Sequence, residues 1–158
     1  MKHIPGSHIF ITNESSFSLN DLLLKQSLGT LFDLFGLDHP EVSLLLTTDE
    51  KIRQLNKQYR HKDEPTDVLS FPAGEFEHAP LGDIAISIPF AKRQAEKRGV
   101  SLDVELAYLV IHGGLHLLGY QDETEEEYDE MLRQMQRVAE KIRVLHHEKW
   151  KPLASSEI

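Results

Sequence analysis

The chain contains no cysteine among its 158 residues. That excludes disulfide staples, thiolate zinc sites and cysteine nucleophiles. No apolar run approaches the ~18 residues of a membrane helix. The longest suspect, Leu102 to Leu118, is broken up by Asp103, Glu105, two histidines and two glycines. Met1 to Ser7 lacks the apolar stretch of a secretion signal. With cysteine also absent, the expected location is the cytoplasm. Glycine and proline, at 9 and 7, are too few for a collagen-like or low-complexity chain. Base is scarce too: 17 Lys and Arg stand against 26 Asp and Glu, a formal charge of -9. Taken as one number, this argues against a nucleic-acid partner, which usually calls for a basic surface.

What is present fits a globular protein, with 40% hydrophobic and 27% charged residues. The expectation is a single domain over residues 1–150, followed by a loose tail over 151–158. His8 to Thr12 reads as a strand. Ser18 is placed to cap a helix to Phe35, stopped by Gly36. Glu41 to Thr47 reads as a strand, and Thr48 caps a helix from Asp49 to Tyr59 with Ile52, Leu55 and Tyr59 inward. Arg60 to Pro65 is a polar loop, and Thr66 to Phe71 is strand-like. Glu75 to Leu81 reads as an exposed loop, and Gly82 to Ile88 as a strand. Pro89 opens a helix ended by Gly99, and Ser101 caps a longer one ended by Gly119. Thr124 and Glu127 form a capping box for a last helix with a stripe of Tyr128, Leu132, Met135, Val138, Ile142 and Leu145. The order predicts an α+β fold: a small mixed four-stranded sheet packed with about five helices.

Nine histidines are many for this length. His112 and His116 lie four apart on the predicted Leu102–Leu118 helix, which puts both imidazoles on one face, about 6 Å apart along the axis. Two ring nitrogens so placed can meet one metal at about 2.0–2.1 Å. Chance alone yields about half of one such pair at this histidine content, so the spacing by itself is weak. Gly113 and Gly114 add weight, since each costs roughly 1 kcal/mol relative to Ala inside a helix. Such a pair calls for close approach of a backbone, a substrate or a tightly packed sheet. Beyond Gly119 the chain can turn to bring Asp122 back as a third ligand, leaving a position open for water. Asp122 equally suits the positive end of the last helix, and Glu123, Glu125 and Glu126 are alternative ligands. Gly113 stands where an H-E-x-x-H protease has its general base, so that chemistry is excluded. Upstream, Arg60 could clamp a phosphate with two parallel hydrogen bonds, or pair with Asp63, Glu64 or Asp67. His3, His8, His39, His61 and His78 show no ligand spacing. His146 and His147 read as solvated, and Trp150 as an anchor for the tail.

Three runs, Tyr59-Arg60 through Pro65-Thr66-Asp67-Val68-Leu69-Ser70-Phe71-Pro72, then Leu81-Gly82-Asp83-Ile84, then His112-Gly113-Gly114-Leu115-His116-Leu117-Leu118-Gly119-Tyr120, occur in this order. Together they resemble the YbeY family of bacterial rRNA-maturation endoribonucleases, over about residues 40–135. The resemblance implies a single-domain α+β protein with one metal, usually zinc. It also implies cleavage of single-stranded RNA in 3′-end maturation of small-subunit rRNA and in ribosome quality control. Expected partners are an rRNA precursor and the ribosome or its proteins, with neither membrane nor DNA. The family motif is H-x-x-x-H-x-x-x-x-x-H, so His112 and His116 match the first two ligands and Asp122 falls on the third. Arg60 matches an arginine implicated in cleavage, and Arg60 and His112 are the expected catalytic residues. A His, His, Asp set is sound for zinc, but the anionic ligand weakens the Lewis acid and admits manganese or magnesium. Two other readings are a non-catalytic ribosome-assembly factor with a structural metal and a metal hydrolase of small molecules.

Residues Asp122 to Glu130 hold seven acids and no Lys or Arg, and setting these aside leaves 19 acids against 17 bases. The imbalance is mostly one helix start. Bases gather at Lys51, Arg53, Lys57, Arg60 and Lys62, and again at Lys92, Arg93, Lys97 and Arg98. A groove with one basic wall is therefore allowed, with weak, salt-sensitive RNA binding and the acidic segment beside the metal.

Overall fold

The computed structural model describes residues 8–38, 40–74 and 79–145. The chain forms β1 (Ile9–Asn13), α1 (Asp21–Leu34), β2 (Val42–Thr47), α2 (Asp49–Arg60), β3 (Val68–Pro72) and β4 (Gly82–Ser87). Three helices follow: α3 (Ile88–Arg98), α4 (Leu102–Leu117) and α5 (Glu125–Ala139). The sheet order is β1-β2-β4-β3. β1, β2 and β4 are parallel, and β3 runs antiparallel to β4 at one edge. This is the expected mixed four-stranded sheet with five helices.

The pleat sorts the apolar residues to two faces. Ile9, Val42, Leu44, Leu46, Ile84 and Ile86 join α1, α4 and α5 in the main core. Leu69 and Ala85 point the other way, onto Ile52 of α2. Each fully buried Leu or Ile contributes about 1.5–3 kcal/mol. Helix α4 lies within the main core: residues Val104 to Ile111 are all buried. It therefore lacks a one-sided stripe, as expected of a helix enclosed by neighbours. Pro72 closes β3, and its missing N–H is tolerated on an edge strand. Opposite it, Gly82 has φ +154°, and a Cβ there would lie 2.5 Å from the Phe71 carbonyl oxygen. Among the described residues no single helix is long and apolar enough to cross a membrane.

Several local expectations shift. The cap of α1 is Asn20 rather than Ser18, because the Asn20 side chain accepts from the Leu23 N–H and the helix begins at Asp21. Tyr59 is 58% exposed instead of inward. Its ring lies edge-on to Phe71, with centroids 5.2 Å apart, outside the core. Helix α5 stops at Ala139, yet Ile142 and Leu145 are still buried by the turns that follow. Ala79, Pro80 and Leu81 are half-buried rather than exposed. His3, His39, His78, His146, His147, Trp150 and the tail lie outside the described residues.

Candidate metal centre

The centre is built where α4 ends. Gly119, at φ +99°, lets the chain reverse. Its N–H bonds to the His116 carbonyl, and the Tyr120 N–H reaches back to the Leu115 carbonyl, both at 3.0 Å. This paired closure is a Schellman turn. Four residues on, the Thr124–Glu127 capping box sets the start of α5. Asp122 sits between these two devices, returned to the His112 and His116 face.

The side chains converge. His116 Nε2 is 3.0 Å from His112 Nε2. Asp122 Oδ2 is 3.2 Å from His112 Nε2 and 3.4 Å from His116 Nε2. These separations match the ~3.3 Å edge of a tetrahedron with bonds of ~2.0–2.1 Å, so the three atoms fit a zinc-sized ion. His116 Nδ1 stands 2.9 Å from the Tyr120 carbonyl oxygen. A carbonyl only accepts, so Nδ1 carries the hydrogen and Nε2 keeps its lone pair for the cluster. The two imidazoles beside it, His112 first and His116 second, hold the Asp122 carboxyl well below the usual carboxylate range, against the opposing effect of burial. Among the described residues this is the only group of three ligating side chains. Glu123, Glu125 and Glu126 are exposed and outside it.

The cluster forms one wall of a cleft of about 330 Å³. Arg60, Thr66, Asp67, Val68, Ser70 and Gln121 line the rest. Arg60 is the last residue of α2, before His61 in the left-handed conformation. It makes no ion pair among the described residues: Asp63 is held by Arg53 at 2.7 Å and Lys57 at 3.9 Å. The guanidinium is thus spare for an anion in the cleft. Of the bases expected to form a wall, Arg93 is bound to Asp49 at 3.0 Å, and Arg98 is buried against Glu105.

The glycine pair has a packing explanation. A Cβ on Gly114 would meet Leu31 and Leu28 methyls at 2.8 and 2.9 Å. On Gly113 it would meet Ile84 and Ser70 at 3.1 Å and Val68 at 3.3 Å. The close approach is that of sheet and α1. Sequence reasoning missed Asp67 and Ser70 as cleft residues. They sit in a run whose alternation signals only a strand, and nothing in that pattern marks which strand end meets α4.

A small α+β domain with a three-ligand metal-type centre beside an unpaired arginine is the class that fold and site define. The family model described as Endoribonuclease YbeY matches residues 11–143. The chain belongs to the YbeY family. It is 42% identical over 132 residues to the Endoribonuclease YbeY of Sulfurihydrogenibium sp., covering 80% of this chain and 87% of that one. To that of Caldanaerobacter subterraneus it is 41% identical over 145 residues, covering 83% and 92%. The solution structure of TM1509 from Thermotoga maritima is similar with a TM-score of 0.58 at 28% identity, covering 91% and 97%.

Proposed function

We propose that this chain is a metal-dependent endoribonuclease that cuts single-stranded RNA in 3′-end maturation of small-subunit rRNA and in ribosome quality control. It works in the cytoplasm on rRNA precursors, in association with the ribosome. The observation that carries this reading is the meeting of His112, His116 and Asp122 in one cleft with the unpaired Arg60. The endoribonuclease name shared by the relatives supports it over a purely structural metal or a small-molecule hydrolase.

His112, His116 and Asp122 would hold the ion, zinc first, with manganese or magnesium admitted by the Asp122 oxygen. When bound, a divalent ion supplies Lewis acidity at a phosphoryl oxygen and lowers the pKa of water. Arg60 binds the phosphodiester through its guanidinium fork and stabilises the charge that grows on phosphorus oxygens in the transition state. Gln121 also lines the cleft. Ser70 is spent internally, since its hydroxyl donates to the Gly113 carbonyl at 3.0 Å. His112 is both ligand and catalytic residue in this scheme, because it would hold the ion that supplies this chemistry.

The test is cleavage of a single-stranded RNA by purified protein, with and without chelation. Arg60→Ala is expected to lose about 10²–10³ in rate, the cost of removing one donor of this kind, and His112→Ala to lose cleavage. Undiminished cleavage by either variant, or cleavage that survives strict chelation, overturns the assignment.

A further inference from the structure

His112 has an unanswered side. Its Nε2 faces the ligand cluster, yet Nδ1 is buried with no hydrogen-bond partner among the described residues. A ring that ligates through Nε2 carries its hydrogen on Nδ1, and ligating histidines almost always donate that N–H to a carboxylate, carbonyl or water. His116 has the Tyr120 carbonyl for this purpose. Among the described residues no counterpart is in bonding contact with His112 Nδ1.

The geometry points to Asp67 as the carboxylate that orients His112 from behind, accepting from Nδ1–H directly or through one bridging water. Three observations converge on it. First, Asp67 and His112 line the same cleft. Second, β3 is pinned to α4 beside His112: Ser70 Oγ donates to the Gly113 carbonyl, and Val68 lies within 3.3 Å of where a Gly113 Cβ would sit. Asp67 immediately precedes that strand. Third, the Tyr108 hydroxyl, whose pKa is raised chiefly by burial, also feels a smaller effect of the Asp67 charge. The Tyr108 ring is one turn before His112, with centroids 6.0 Å apart. Asp67 thus faces the stretch of α4 that carries the unpartnered nitrogen.

Asp67 is also built to stay put. Its Oδ1 accepts from the Val68 N–H at 2.7 Å and the Thr66 hydroxyl at 3.4 Å, and Oδ2 accepts from Gln94 Nε2 at 3.3 Å. Gln94 is 4% exposed and anchored in α3. A carboxylate offers about four lone-pair sites, so one stays available for His112. Asp67 is therefore a positioning residue, acting through His112.

This inference rests on His112 being a metal ligand, and the experiment separates the two. Zn²⁺ affinity is measured by chelator competition on wild type, Asp67→Asn and Asp67→Glu, with melting temperatures of the metal-free proteins alongside. Expected are a 10–100-fold weaker affinity for Asp67→Asn, partial rescue by Asp67→Glu, and metal-free melting close to wild type. Affinity of Asp67→Asn within threefold of wild type overturns the positioning role alone. Wild type that binds no Zn²⁺ overturns the metal assignment and this role with it. Should Asp67→Asn fail to fold, nitrogen-15 spectra of Zn²⁺-loaded wild type decide. A slowly exchanging proton on His112 Nδ1 is expected, and its absence overturns the inference.

Discussion

Helix α4 carries an acid on its first turn, and a second acid is folded back onto its last. Glu105 is fully buried and meets Arg98 Nε at 2.9 Å, with both side chains at most 5% exposed. Burial pushes its carboxyl up, against the pull of Arg98. Asp122 is about a third exposed, and the two imidazoles beside it hold its carboxyl down. At the first end the chain supplies its own cation, with Arg98 also laid over the Tyr108 ring at 4.6 Å. At the other end it gathers three electron-rich atoms and supplies no fixed positive charge among them. One end is closed by the protein. The other could take up a cation from solvent.

The contrast can be broken at either end. The largest effect is expected from Arg98→Met, which leaves Glu105 buried without its cation. A loss of about 3–5 kcal/mol should appear in urea unfolding, and adding Glu105→Leu should return most of it. Next comes the open end. Zn²⁺ at about 100 times its Kd should stabilise wild type by about 2.7 kcal/mol. Asp122→Ala should gain less than about 1 kcal/mol under the same conditions, read as the shift in unfolding midpoint. The smallest effect is in pH dependence. Because the folded pKa of Glu105 is raised, the folded state binds more protons above the ordinary value of 4.5. The contribution of Glu105 to stability is therefore complete below that value and declines as pH rises through the folded pKa. Glu105→Gln should remove this decline, flattening the metal-free stability profile above about pH 4.5 by no more than about 1.4 kcal/mol per unit. An unchanged profile would mean that Arg98 cancels the cost of burial.

Much of the open end was legible in the residues. The spacing of His112 and His116, the Gly119 stop and the Thr124–Glu127 box are local signals, and local hydrogen bonds enforce them. The sheet was legible for the same reason, since alternation and turn residues act within a few positions. What escaped depends on distant packing. In the sequence Glu105 stands out only as a charge interrupting the apolar run Leu102–Leu118, and only the approach of α3 makes it a buried partner of Arg98. Tyr59 kept helical spacing with Ile52 and Leu55, yet its ring ends largely in solvent, edge-on to Phe71. In the sequence Asp67 is one possible ion-pair partner of Arg60, and only the fold shows that Gln94 of α3 holds it.

The Schellman turn has one more consequence. An ion held by His112, His116 and Asp122 would act as a crosslink closing a loop of about ten residues between the end of α4 and the approach to α5. Short loops lose little entropy on closure, and the cost grows only slowly with length. The turn and the capping box have already restricted most of that loop. The clasp is thus set before the ion arrives, and binding energy goes into holding the metal rather than into ordering the chain. Release of the ion would then leave the turn, the capping box and the packed sheet and helices in place, so that filling and emptying the centre would ask little rearrangement of the backbone.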